Sequence, residues 1–241
     1  MPRETTRYAG LAAVALLWST LGIASLRSGF PLTGPRPLSW LAADADAAVL
    51  YGIGLAGGAG LLLVFHGYVR ANFPSGRRSF SMAMVAGLAG QTIAAVVPIH
   101  GGTVAHTVHT VAALTLGASL PALMWRFAVE QPAGAWRQRC VRLAWLETAA
   151  CVVGVVLSRR SVAPLAEILP AAVFHLWIAA VTFAPGAGAR GAAIPPGGGL
   201  GTLAGAEMPG PSEDDLERFR PSSRMTPGGG QGRCSPTSAP S

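Results

Sequence analysis

Five side chains in this sequence are of the types that could bind a metal or move a proton together: His100, His106, His109, Asp46 and Glu167. His106 and His109 are three residues apart, a spacing that lets both face one partner on a helix. His100 precedes them in the short run Pro98-Ile99-His100-Gly101-Gly102-Thr103. Imidazoles with carboxylates suit zinc, which takes His nitrogen at about 2.0–2.1 Å. The same groups exchange protons near neutral pH. Asp46 (with Asp44) and Glu167 would have to approach from other segments, as would the cations Arg159 and Arg160. The same residues also allow a structural role, with histidines satisfying backbone groups in the turn and bonding between helices.

A second set lies inside apolar stretches: Gln91, Glu147 and His175, with His66 nearer the end of its stretch. Polar groups are costly in lipid, so each needs a partner. Glu147 could pair with His66 or Arg142, and its neighbours Cys151 and Gly154 mark a helix face turned inward. Glu167 and His175, eight residues apart, can both face inward and form a relay or an interhelical bond. His109 and His175 could also ligate one haem iron from two helices, although upright helices would leave them about 8 Å apart in height.

The composition identifies the elements that must position these groups. Hydrophobic residues make up 51% of the 241 residues and charged residues 12%, with a mean hydropathy of +0.44. A soluble domain carries about 25% charge, so a soluble globule, a disordered chain and a coiled coil are all excluded. Six stretches are long enough to span a bilayer, which needs about 20 apolar residues: 8–26, 49–69, 80–97, 104–125, 141–158 and 165–184. The expectation is an all-α, polytopic transmembrane bundle of six helices over 1–184. Arg3 and Arg7 precede the first stretch as in a signal peptide. That stretch is longer than a usual signal core and lacks a small-x-small cleavage site, so it reads as a retained helix.

All 18 basic residues are Arg, and the net charge is +7. The excess sits in short loops between apolar stretches, which sets membrane orientation and does not build a nucleic-acid groove. With the amino terminus inside, nine Arg fall on the inner side before residue 185 and four (Arg27, Arg36, Arg159 and Arg160) on the outer side. This predicts an inner (plasma) membrane protein with both termini cytoplasmic. The segment 185–241 has 13 Gly and 9 Pro among 57 residues and reads as a disordered cytoplasmic tail. Ser212 and Asp215 in it resemble a capping box. Cys140, Cys151 and Cys234 show neither metal-binding nor disulfide spacing.

Small residues recur at helical spacing: Gly54, Gly57, Gly58 and Gly60 in the second stretch, and Ala83, Gly87 and Gly90 in the third. They predict close helix contacts. Pro121 and Pro170 each free a carbonyl one turn earlier, at Gly117 and Ala166, where kinks can open room inside the bundle.

The run from Pro98 and His100 through His106, His109, Ala112 and Ala113 to Pro121 and Trp125-Arg126-Phe127, together with Pro37-Leu38-Ser39, resembles the domain-of-unknown-function 998 family of small prokaryotic membrane proteins. The resemblance spans about 8–184 and implies six helices. His100 stands where that family's pattern often carries an acidic residue.

Three functions are compatible with these residues. The leading one is a non-enzymatic, lipid-interacting or small-solute-handling bundle in the lipid bilayer, for which a homo-oligomer is one open arrangement. The second is a metal-assisted membrane hydrolase using His100, His106 and His109. The third is a haem-binding redox protein. No P-loop, GxSxG or C-x-x-C-H motif is present.

Overall fold

The computed structural model describes residues 3–74, 77–97, 99–159 and 162–184. The segment 185–241, with Ser212, Asp215 and Cys234, lies outside the described residues, as does Arg160. The elements are α1 (Arg3–Arg7), α2 (Ala9–Ser28), a 3-10 helix (Leu38–Ala43), α3 (Ala48–Asn72), α4 (Arg77–Val96), α5 (Gly102–Glu130), α6 (Ala135–Leu157) and α7 (Ala163–Phe183). No strand occurs among the described residues.

Six helices, α2 to α7, are long and apolar enough to cross a membrane. Their outward faces carry large apolar side chains that water would not tolerate as a continuous coat: Val49, Met82, Val104 and Leu114 are each at least 66% exposed. The protein is a multi-pass membrane protein. The helices extend past the apolar stretches at one end. There α5 continues to Glu130, and α6 starts at Ala135 before Arg137, Arg139 and Arg142. Backbone hydrogen bonding does not stop where hydropathy does, and exposed arginines can keep their charged heads in the headgroup zone.

Each helix packs on the next in chain order, and α7 returns to α2, closing a ring. Glycines set the close seams. A methyl group at Gly90 would lie 2.6 Å from the Ala112 carbonyl oxygen, and one at Gly154 would lie 2.7 Å from that of Ala166. Gly54 and Gly57 face Thr20 and Leu16 of α2, and Gly87 faces Ser119 of α5. Gly60 has nothing within 4 Å, so it does not belong to the contact face expected of it.

The two ends of the ring are filled differently. One end carries the exposed Arg70, Arg78, Arg126, Arg137, Arg139 and Arg142. Arg7 Nε donates to the Thr182 carbonyl there, which puts the chain's first helix beside the end of α7. Inside that end, Phe65, Phe80, Phe127 and Trp177 are almost wholly buried. Their rings meet at centroid distances of 6.2 Å (Phe80–Phe127) and 5.3 Å (Phe127–Trp177), geometries that add to simple burial. Gln131 ties the adjoining loops: Nε2 donates to the Pro74 and Phe127 carbonyls at 2.9 and 3.0 Å.

The opposite end is roofed by the 3-10 helix. Leu38 and Leu41 pack with Ala24, Ala47 and Tyr51 in a small separate cluster. Asp44 Oδ1 accepts from the Asp46 and Ala47 backbone N–H groups at 2.9 and 3.1 Å, starting α3.

Candidate functional site

Between the roof and the aromatic core the ring lines a partly open cavity of about 240 Å³. Its walls are mostly aliphatic, from α2, α3, α4, α5 and α7, with Leu62, Leu120 and Phe174 toward the aromatic core and Leu38 and Ser39 from the roof. On the scale at which a 150 Å³ apolar cavity admits benzene, there is room for about ten non-hydrogen atoms.

Both proline-freed carbonyls adjoin this space. Gly117 and Leu120 line it near Pro121, and Ala166 and Ala171 line it on either side of Pro170. The freed carbonyls are not left bare, because α6 covers them from behind. Cys151 Sγ lies 3.7 Å from the Gly117 oxygen, and the Cα of Gly154 packs against the Ala166 oxygen.

The polar groups on the cavity wall are few, and each is held in place. Gln91 Nε2 donates to the Leu55 carbonyl of α3 at 2.8 Å, which leaves Oε1 as an acceptor. His109 Nδ1 lies 2.8 Å from the Val97 carbonyl. A carbonyl only accepts, so Nδ1 carries the proton and Nε2 of the neutral ring is an acceptor. At His175 the roles are reversed. Trp18 Nε1 donates to His175 Nδ1 at 2.9 Å, so the proton sits on Nε2. Glu167, whose side chain is exposed, lines the cavity together with Leu38 and Ser39 of the roof and Tyr51 of α3.

No protein-family model, curated protein or solved structure matches this chain.

The alternative of a metal site is not met by the geometry. Among the described residues no three His, Cys, Asp or Glu side chains converge as metal ligands. His109 turns inward and serves Val97, whereas His106, one turn nearer the roof, is exposed. α4 ends at Val96, and the carbonyl of Val97 just beyond it holds His109. His100 is exposed and lies edge-on to Trp40, with ring centroids 4.1 Å apart. Asp46 is exposed in the turn that Asp44 closes. Only His109 and Glu167 of the five reach the cavity, where they meet Gln91 and His175. A haem has about forty non-hydrogen atoms and does not fit a space sized for about ten.

Glu147 also departs from expectation. It is fully buried, and its Oε1 lies 3.5 Å from Cys151 Sγ, while Oε2 has no hydrogen-bond partner among the described residues. His66 is engaged elsewhere, 3.2 Å from Ser81 Oγ. Trp18, Ser39 and Tyr51 line the cavity but were not legible as site residues in the sequence. The available signal was an aromatic residue with a polar tip inside each of two apolar stretches.

Proposed function

We propose that this chain is an inner-membrane protein that holds a small, mainly apolar molecule in its cavity, acting as a lipid-interacting or solute-handling bundle and not as a hydrolase. The observation that carries this reading is the cavity itself. It is a dry-walled space for about ten non-hydrogen atoms with a few fixed polar groups, the usual make-up of a small-molecule site. The aromatic core blocks a straight path toward the arginine-rich end, so the cavity is entered from the roofed half. The arginine asymmetry favours that half as the outer one, with both termini cytoplasmic.

The test uses the full chain in detergent and an apolar probe, ethylbenzene. A ligand that binds only the folded state raises the unfolding midpoint as its concentration rises, by about 2.7 kcal/mol at a hundred times its Kd. The expected result is a saturable rise for the native chain and none for Ala171→Phe, which fills the space. A native chain whose midpoint ignores ethylbenzene overturns the reading.

A further inference from the structure

We infer that the occupant of this cavity is an organic amine, a primary or secondary ammonium group on an apolar body of about ten non-hydrogen atoms. The inference rests on the cavity-binding reading above and names its ligand class.

Charge is the first argument. Glu167 is the one acidic side chain on the cavity wall, and no Arg lies on that wall among the described residues. A carboxylate or phosphate ligand would meet this like charge with no cation to offset it, which is costly at low dielectric. A cationic ligand meets its counter-charge.

The free hydrogen-bonding positions are the second. Gln91 has spent one of its two amide N–H groups on Leu55, and His109 has spent its Nδ1–H on Val97. Each is left with an acceptor, Oε1 and Nε2 respectively. Gln91 and His109 are buried, so the wall offers acceptors that a hydrocarbon would leave unpaired, at about 1–3 kcal/mol each; the Glu167 carboxylate adds a charged acceptor on an exposed side chain. An ammonium group brings two or three donors. The side-chain donors left on the wall are the second Gln91 N–H, His175 Nε2–H and the Ser39 and Tyr51 hydroxyls. Aromatic surface is the third argument. Trp18, Tyr51 and Phe174 also line the space, and ring faces attract cations.

Three probes of nearly equal size separate the possibilities: 2-phenylethylamine, 2-phenylethanol and ethylbenzene. Binding to the full chain in detergent is measured by equilibrium dialysis at neutral pH, with Ala171→Phe giving the background from micelle partitioning. The native chain is expected to bind the amine about tenfold or more tightly than the alcohol. In Glu167→Gln that preference falls to within about threefold, while ethylbenzene affinity is unchanged. Alcohol or hydrocarbon binding as tightly as amine to the native chain overturns the amine assignment and leaves the cavity reading standing. So does an amine preference that persists in Glu167→Gln. If none of the three binds above background, both readings fall. The native-chain preference alone decides the matter if Glu167→Gln does not fold.

Discussion

Two histidines line one cavity as opposite tautomers, and the backbone and a tryptophan decide which is which. His109 donates a hydrogen bond from Nδ1–H to the Val97 carbonyl, and His175 Nδ1 accepts one from the Trp18 indole N–H. Replacing His109 with leucine keeps the bulk but strands the Val97 oxygen at the end of α4. His109→Leu is expected to lower stability by about 1–3 kcal/mol, the cost of an unpaired buried polar group. Thermal unfolding in detergent reads this. Glu147 gives the opposite sign. One of its oxygens is buried without a partner among the described residues, and its other neighbour is only a thiol. Glu147→Met keeps the length of the side chain and removes the unpaired group, so it is expected to raise stability by about 1 kcal/mol. A fall of 2 kcal/mol or more would mean that the carboxyl makes a bond the present geometry lacks.

At the scale of the helix, α6 acts as a splint. Prolines in α5 and α7 each break one backbone hydrogen bond, and α6 presents Cys151 and Gly154, three residues apart, to the two freed carbonyls. That pairing explains why α6 packs tightly on both neighbours yet does not line the cavity. Glycine substitutions test the packing. Gly154→Ala and Gly90→Ala push a methyl into backbone atoms, which cannot rotate away, and are expected to cost about 1–3 kcal/mol as overpacked sites. Gly60→Ala meets nothing and gains up to about 1 kcal/mol of helix propensity. Unfolding midpoints of the three variants should therefore fall, fall and stay or rise. A uniform response would show that the small residues do not set the helix spacing.

At the scale of the molecule, the ring is hollow at one end and solid at the other. Large aromatic residues sit where the helices end in arginine, and alanine, glycine and proline sit where they meet the roof. Orientation follows from the arginines and can be checked by labelling single cysteines in a background cleared of the native three. Asp46→Cys, exposed beside the roof, is expected to react with an impermeant maleimide on intact cells. Arg137→Cys, exposed at the other end, should react only after the membrane is opened. The reverse pattern would invert the protein and put the cavity on the cytoplasmic side.

The six spans could be read directly from residue types, because the cost of placing charge in lipid acts on each stretch separately. The boundaries were less legible where helices run on into the headgroup zone, as at Arg126–Glu130 and Ala135–Arg142. Gln91 and the contact glycines of the second and third spans were also legible, since helical spacing alone turns them to one face. The grouping of His100, His106, His109, Asp46 and Glu167 was not. Nearness in depth is visible in a sequence, but the direction of a side chain around the ring depends on where the neighbouring helix stops. His109 turns in to the Val97 carbonyl just past α4 while His106 stays exposed, and the folding of 38–43 over the ring puts Ser39 and Glu167 on the wall of one cavity. Hydropathy is a sum over consecutive residues and needs no partner. A cavity is what remains between residues far apart in the chain, and only their packing decides its walls.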